Sequence, residues 1–245
     1  MIILGDIGNT ETKICLVNNN KIIKKILIPS KGKKLDILRK HFRNFKFSKL
    51  KKILICSVVP STFKELKSYF AKKTKIRCFE LKELNLRSIL KIDVNYKQVG
   101  SDRLANAISV LNKKKNFIIL DLGTATTFDI LIGNNYKGGI ISPGIKLSLK
   151  TLSNEASLIP KINLRKMTKV IGKDTKSAVR SGFFWGYAGL IDNVIDLIKK
   201  ETKKSFKIII TGGFSKLFKN SIKTKVKQDF DITINGLIKA SKLIK

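Results

Sequence analysis

The chain opens with Met1-Ile-Ile-Leu-Gly-Asp-Ile-Gly-Asn-Thr10, and a second stretch of the same design, Phe117-Ile-Ile-Leu-Asp-Leu-Gly-Thr-Ala-Thr126, starts the other half of its 245 residues. In each, a short apolar run of strand character ends on an aspartate, a glycine and a threonine, the residue types of a tight polar turn. After the first come strands at Lys13 to Val17 and Ile22 to Ile28, separated by Asn18-Asn-Asn20, which predicts an antiparallel meander. Leu35, Leu38, Phe42 and Phe45 then recur at helical spacing, Ile53 to Val59 reads as a buried strand, and Thr62-x-x-Glu65 reads as a capping box opening a helix. The second half repeats the plan. Strands run through Phe117 to Leu120, Ile130 and Ile132, and up to Gly138-Gly139, followed by helices near 145–156 and 175–200, a strand at Phe206 to Ile210 and a last helix near 237–243. The two aspartates, Asp6 and Asp121, stand 115 residues apart in an internal repeat of architecture. No Pro- or Ser-rich linker divides the halves, so the expectation is an α/β protein of two domains, 1–112 and 113–245, packed around a cleft.

Hydrophobic residues make up 43% of the chain, a globular composition with enough apolar side chains for proper cores. No apolar run approaches the roughly 18 residues of a membrane span, and the N-terminus lacks the pattern of a secretion signal. The three cysteines, Cys15, Cys56 and Cys78, form no CxxC pair and suit buried thiols in a reducing compartment. These features predict a cytoplasmic protein with no membrane partner. Fifty-one Lys plus Arg against seventeen Asp plus Glu give a net charge of +34, which invites a polyanion. Forty-four of those cations are Lys, scattered from Lys13 to Lys245, whereas base readout and bidentate phosphate grip rely on Arg. The charge therefore predicts salt-sensitive adhesion without a specific nucleic-acid partner.

A turn that joins backbone N–H groups, a hydroxyl and a carboxylate just after a strand presents them to one point in space, and phosphate suits the first two. The carboxylate would repel phosphate unless a divalent cation lies between them, so Asp6 reads as a partner of Mg²⁺, direct or through water, and Lys13 as a point charge for phosphate. One such turn is no more than a hairpin. Two of them facing each other could hold the β- and γ-phosphates of a nucleotide, a geometry for phosphoryl transfer.

In Gly100-Ser-Asp-Arg103 an acid and an arginine sit in the first turn of an amphipathic helix marked by Leu104, Ala107, Ile108 and Leu111. Asp102 fits a helix-start residue, and it fits equally a base that accepts a proton from an attacking hydroxyl, with Arg103 gripping a substrate carboxylate. Thr211-Gly-Gly213 would let a flat ligand such as adenine approach the backbone. His41, the only histidine, reads as a surface residue, and there is no Cys/His cluster or serine nucleophile elbow.

Taken in order, Asp6-Ile-Gly-Asn-Thr-Glu-Thr-Lys13, Gly100-Ser-Asp-Arg-Leu-Ala-Asn-Ala107, Asp121-Leu-Gly-Thr-Ala-Thr-Thr127, Gly138-Gly-Ile-Ile-Ser-Pro-Gly144, Gly172-Lys-Asp-Thr175 and Thr211-Gly-Gly213 resemble the type III pantothenate kinase family over nearly the whole chain. That family belongs to the acetate and sugar kinase, Hsc70 and actin superfamily. The resemblance implies two ribonuclease-H-like (actin-like ATPase) domains around an ATP cleft, a homodimer, and ATP-dependent phosphorylation of pantothenate, the first step toward coenzyme A. By matching position it implies Asp102 as general base, and Tyr96, Gly100, Ser101, Asp102 and Arg103 around pantothenate. It also implies Asp6, Ile7, Gly8, Asn9, Thr10, Glu11, Thr12, Lys13 and Thr124 at ATP and its Mg²⁺. Asp121 matches the acidic ligand of a monovalent cation, K⁺ or NH₄⁺, and Thr175 a threonine that reaches pantothenate from the partner subunit. The chain departs from longer members in placing only Lys97, Gln98 and Val99 between Tyr96 and Gly100. Two other functions stand beside this one: a non-catalytic accessory homologue that binds nucleic acid nonspecifically, and a kinase of the same fold acting on another hydroxyl.

Overall fold

A computed structural model describes residues 1–29 and 34–244. It divides into two compact units, one of residues 1–111, 134–136 and 231–245 and the other of residues 112–133 and 137–230.

In the first unit β1 (Ile2–Ile7), β2 (Glu11–Asn18) and β3 (Lys21–Pro29) form the antiparallel meander, turned between β2 and β3 by Asn19 and Asn20, both at positive φ. Asparagine tolerates that conformation better than most residues, so the Asn triplet is the reason the hairpin closes there. After α1 (Lys34–His41), β4 (Lys52–Ser57) pairs with β1 in parallel, and after α2 (Pro60–Ala71), β5 (Cys78–Glu80) pairs with β4, giving the order β3-β2-β1-β4-β5. The capping box expected at Thr62 is not used. The helix begins three residues earlier, with Pro60 in its first turn and Val59 at its N-cap, and Thr62 lies buried inside it. Proline at a helix start supplies a preset φ and lacks the N–H that would otherwise go unsatisfied.

β6 (Lys91–Ile92) pairs in parallel with Asn135 and Tyr136, and α3 (Ser101–Ser109) follows. The second unit is built on β7 (Asn116–Leu122), β8 (Ala125–Ile132) and β9 (Asn135–Pro143), then α4 (Ile145–Glu155), α5 (Thr175–Thr202), β10 (Lys207–Thr211), α6 (Ser215–Phe218) and β11 (Val226–Gln228). Its strands run in the order β9-β8-β7-β10-β11, with β7 and β8 antiparallel and β10 parallel to both β7 and β11. This is the first unit's order repeated, as the paired sequence motifs predict. Its core gathers Leu120, Phe128 and Ile130 from the sheet with Phe184, Ile191 and Ile195 of α5.

The last helix, α7 (Ile232–Ala240), belongs to the first unit, as do residues 134–136, while residue 112 falls in the second, so the contiguous division 1–112 and 113–245 is corrected at these positions, chiefly for the final fifteen residues. The reason is the burial of β1 and β4 on both faces. Ile3, Ile7, Ile53 and Ile55 pack with Leu38, Leu66 and Phe70 of α1 and α2. Leu4, Leu54 and Cys56 are equally inaccessible on the opposite face, which α3 and α7 cover. A sheet apolar on both sides needs helices on both, and α3 alone is too short. Lys52 anchors the end of the chain by donating from Nζ to the carbonyls of Ser241 and Ile244.

A Cβ placed on Gly236 would lie 1.8 Å from the Ala105 carbonyl oxygen, so α3 and α7 touch backbone to backbone. Gly236→Ala is therefore expected to destabilise the protein by about 2–3 kcal/mol in urea melts, the cost of overpacking a close contact. Gly189→Ala, on the open face of α5, should be neutral or gain up to about 1 kcal/mol from helix propensity.

Candidate active site

Asp6 and Lys13 stand opposite each other in the β1–β2 register, on either side of a turn closed by the Gly8 N–H donating to the Glu11 carbonyl at 3.0 Å. The turn leaves Asn9, Thr10 and Glu11 exposed, while the side chains of Ile7 and Thr12 are buried. Those two residues therefore offer a ligand their backbone rather than their side chains. Parallel pairing places Cys56 beside Asp6, and its Sγ lies 3.6 Å from Asp6 Oδ1. Burial pushes the Asp6 carboxyl up to about 6, and the nearby Asp102 charge pushes the same way, against the opposing pull of Lys13.

Asp102 reaches this point from the first turn of α3. Ser101 fastens that turn to the end of β4, its Oγ accepting from the Ser57 N–H at 2.8 Å and donating to the Ser57 carbonyl at 2.9 Å. Gly100 is the N-cap, and a Cβ there would lie 2.5 Å from Asp102 Oδ1, so only glycine leaves that carboxylate its place. Asp102 accepts from the Arg103 N–H at 2.8 Å, and its carboxyl is nonetheless held above the usual carboxylate range because burial outweighs that bond and the Arg103 charge. A basic carboxylate that is half desolvated is suited to accepting a proton. Two carboxylates converge here with Lys13 as the cation acting on Asp6, an oxygen donor set that a hard divalent ion would fit. Tyr96 lies on a short 3₁₀ turn, its hydroxyl donating to the Lys82 carbonyl at 3.3 Å and its ring faced by the Lys82 and Arg87 side chains.

In the second unit Asp121 occupies the equivalent end of β7, opposite Thr127 on β8 and Thr211 on β10, and Thr124 is exposed at the tip of the turn. Glycines assemble the surroundings of this turn. Gly212 has φ of +87° and sits where a Cβ would be 2.5 Å from the Leu122 carbonyl carbon and 2.6 Å from Asp121 Oδ1. Gly144 sits where a Cβ would be 2.1 Å from the Thr124 carbonyl oxygen. Three separated glycine blocks thus meet at one turn, and the carboxylate and carbonyl oxygens gathered there are of the kind that alkali cations take. Gly213 has open space on its Cβ side. Phe214, next along the chain, lines a cavity of about 530 Å³ together with Lys146, Lys150, Asn154, Lys161 and Asn163. Thr175 is exposed as the first residue of α5, whose N-cap is Asp174 with Ser177 completing a capping box. His41 is exposed, as expected.

Each unit therefore brings its own predicted residues together, Asp6, Lys13, Gly100, Asp102 and Arg103 in the first and Asp121 and Thr124 in the second. Sequence reading missed Cys56, Glu80 and Thr233 around the first group. Thr233 donates from its hydroxyl to Asn106 Oδ1 of α3 at 2.8 Å, and the Glu80 carboxyl, which accepts from the Lys82 N–H at 2.6 Å, is raised by burial. Nothing local marks these residues, because their partners lie tens to hundreds of positions away.

The buried Asp6 carboxyl carries a stability consequence for protein freed of divalent ions. Its folded value, near 6, exceeds the ordinary 3.8, so stability is fullest at low pH and falls as pH rises through that window. Asp6→Asn should be more stable than wild type at pH 7.5 by an amount on the order of 3 kcal/mol, with the gap closing by pH 4. Urea melts of both proteins in EDTA at the two pH values measure it.

The family model described as type III pantothenate kinase matches residues 2–197. The protein described as type III pantothenate kinase in Pelagibacter ubique is 64% identical over 248 residues, covering all of both chains. Among solved structures, one assigned to the Baf family of transcriptional activators from Campylobacter jejuni superposes with a TM-score of 0.64 at 22% identity, covering 98% of this chain and 97% of its own. Another, assigned as a 2-dehydro-3-deoxygalactonokinase from Sinorhizobium meliloti, gives 0.63 at 11% identity and covers 100% and 99%. At those identities the structures speak for the fold alone, the actin-like ATPase and sugar kinase fold. With the matched model spanning most of the chain and a relative of this identity over its full length, the chain belongs to the type III pantothenate kinase family.

Proposed function

We propose that this protein transfers the γ-phosphoryl group of ATP to the terminal hydroxyl of pantothenate, giving 4′-phosphopantothenate and ADP. The observation that carries the reading is Asp102, a half-buried carboxylate of raised basicity that the Gly100–Ser101 turn holds at the start of α3, close enough to Asp6 to raise that carboxyl. Asp102 takes the proton of the attacking hydroxyl as its oxygen bonds to the γ-phosphorus and the bond from that phosphorus to the ADP oxygen breaks. Arg103 offers a fork of donors to the pantothenate carboxylate, and Gly100, Ser101 and Tyr96 shape the surroundings. Lys13 and the N–H groups of the Gly8 turn receive phosphate oxygens. Asp6 would hold Mg²⁺, which supplies charge neutralisation to the polyphosphate when bound.

In the second unit the Thr124 turn contacts phosphate, and Asp121 would hold K⁺ or NH₄⁺. The cavity beside Phe214, continuous in sequence with the open Gly213, accommodates the nucleoside end of ATP. Thr175, exposed at the head of α5, is read as a contact to pantothenate bound by the other subunit of a homodimer. The three cysteines are buried free thiols, and among the described residues no helix is long and apolar enough to cross a membrane, which supports a cytoplasmic location.

Two measurements test this reading. Asp102→Asn keeps the shape of the carboxylate and removes its basicity, so it should be at least as stable as wild type at neutral pH while kcat falls by roughly 10²–10⁴. Full activity in that variant would remove the base from the mechanism. ADP release by desalted protein with Mg²⁺ and ATP is expected to require both pantothenate and K⁺, with Na⁺ a poor substitute. Turnover that is independent of pantothenate would point to a different hydroxyl substrate, and equal rates in K⁺ and Na⁺ would remove the cation role of Asp121.

A further inference from the structure

Tyr96 stands on a single 3₁₀ turn, Tyr96–Gln98, with only Lys97, Gln98 and Val99 between it and Gly100, the N-cap of α3. No residue of that turn is buried, so it is held by its polar contacts rather than by a side chain in the core. Asn95 caps it from within the same segment, Oδ1 accepting from the Lys97 N–H at 3.1 Å. Most of the contacts that reach outside the segment come from one residue. The Lys82 carbonyl accepts from the Tyr96 hydroxyl at 3.3 Å, Lys82 Nζ donates to the Lys97 carbonyl at 3.2 Å, and the same ammonium stands 5.4 Å from the centre of the Tyr96 ring. Arg87 adds a second cation 5.9 Å from that ring.

Lys82 is itself fixed. Its N–H donates to Glu80 Oε2 at 2.6 Å in a capping box that Glu83 completes, and Leu81 beside it is fully buried. Glu80 pairs with Ile55 in the β4–β5 register, two residues before Ser57, whose N–H and carbonyl hold Ser101. Tyr96 and Asp102 are therefore referred to the same two parallel strands, one through Lys82 and the other through Ser101. A phenol has one proton to donate. Given to the Lys82 carbonyl, it leaves the Tyr96 oxygen only lone pairs to offer a ligand, which suits an amide N–H or a hydroxyl and repels a carboxylate. We propose that Lys82 is a positioning residue for substrate recognition, its carbonyl and its ammonium clamping the Tyr96 turn so that the Tyr96 hydroxyl is presented as an acceptor to a donor group of pantothenate, whose carboxylate falls to Arg103. This rests on the reading of Tyr96 and Arg103 as neighbours of pantothenate given above.

The test compares Lys82→Met, which keeps the stem and removes the charge, and Lys82→Arg, which keeps both cation and donors, with wild type in steady-state kinetics, varying Mg²⁺-ATP and pantothenate in turn. Lys82→Met should raise the KM for pantothenate by about 5- to 10-fold and leave kcat and the KM for ATP within about 2-fold, because a contact that serves substrate binding acts on ground and transition states alike. Lys82→Arg should recover most of the loss. In a Tyr96→Ala background the same Lys82→Met change should move the KM for pantothenate by less than about 2-fold, since a residue that acts through Tyr96 has nothing left to act on. A merely structural role would raise both KM values together or leave the Met and Arg variants alike, and either result overturns the proposal, as do wild-type kinetics in Lys82→Met or an undiminished effect in the Tyr96→Ala background. A second readout needs no turnover. The chain has four tyrosines, so isotope-labelled tyrosine gives few ring signals by NMR, and the Tyr96 signal is the one that Tyr96→Phe removes. It should shift in Lys82→Met and return in Lys82→Arg, and an unmoved signal overturns the clamp. If wild type turns over no pantothenate, the proposed reaction fails while the ring signals still decide whether Lys82 positions Tyr96.

Discussion

Gly236 and the Ala105 carbonyl meet at a distance no side chain could enter, and the organisation of the first unit follows from that contact. It lets α7 lie against α3 and close the second apolar face of a sheet whose central strands are buried on both sides. The same contact brings Thr233 to Asn106 and Asp231 to the lysines of β2 and β3. A larger residue at 236 would separate the helices and expose Leu4 and Leu54. It would also loosen the helix that carries Asp102, so core packing and site geometry are one problem here.

The repeat has been used differently in its two copies. Both units set an aspartate at the end of the first strand of a meander, with a parallel strand at its side. In the first unit the aspartate is sunk among Cys56, Asp102 and Thr233, and the cost of burying it is partly offset by Lys13. In the second unit it is surrounded by glycine backbone and a tip threonine, with the half-exposed carboxylate edged by Gly123 and Gly212. One arrangement makes a charge-dense position beside a second carboxylate of raised basicity, that of Asp102. The other makes a cradle of backbone atoms, which the proposed reaction would use for phosphate and a monovalent ion.

The lysine excess contributes little to this architecture. Its ion pairs lie mostly at the surface, as with Lys67–Glu83 and Lys199–Asp196, where such pairs are worth no more than about 1 kcal/mol. The cations at the candidate site are a few set there by position. Lys13 faces Asp6, Arg103 follows Asp102, and Lys146, Lys150 and Lys161 line the cavity next to Phe214. A net charge of +34 thus says less about function than the location of five side chains.

Two-residue periodicity, the Asn18 to Asn20 turn and the paired Asp-x-Gly motifs were enough, read as sequence, to predict two copies of one α/β unit and the ends of the strands on which Asp6 and Asp121 stand. Local rules suffice there, because a turn and the pleat of a strand are decided by neighbours in the chain. Capping at Thr62 was misread because Pro60 acts first. The place of residues 231–245 could not be read at all, since an apolar helix at the end of a chain suits either unit until the open face of a sheet is identified. The raised basicity of Asp6 and Asp102, the pinning of Ser101 to Ser57 and the pairing of Asp231 with Lys25 and of Thr233 with Asn106 were decided by tertiary structure alone. Burial, electrostatic coupling and hydrogen bonding depend on distance in space, and those partners are separated by 44 to 206 positions in sequence, which no local pattern records.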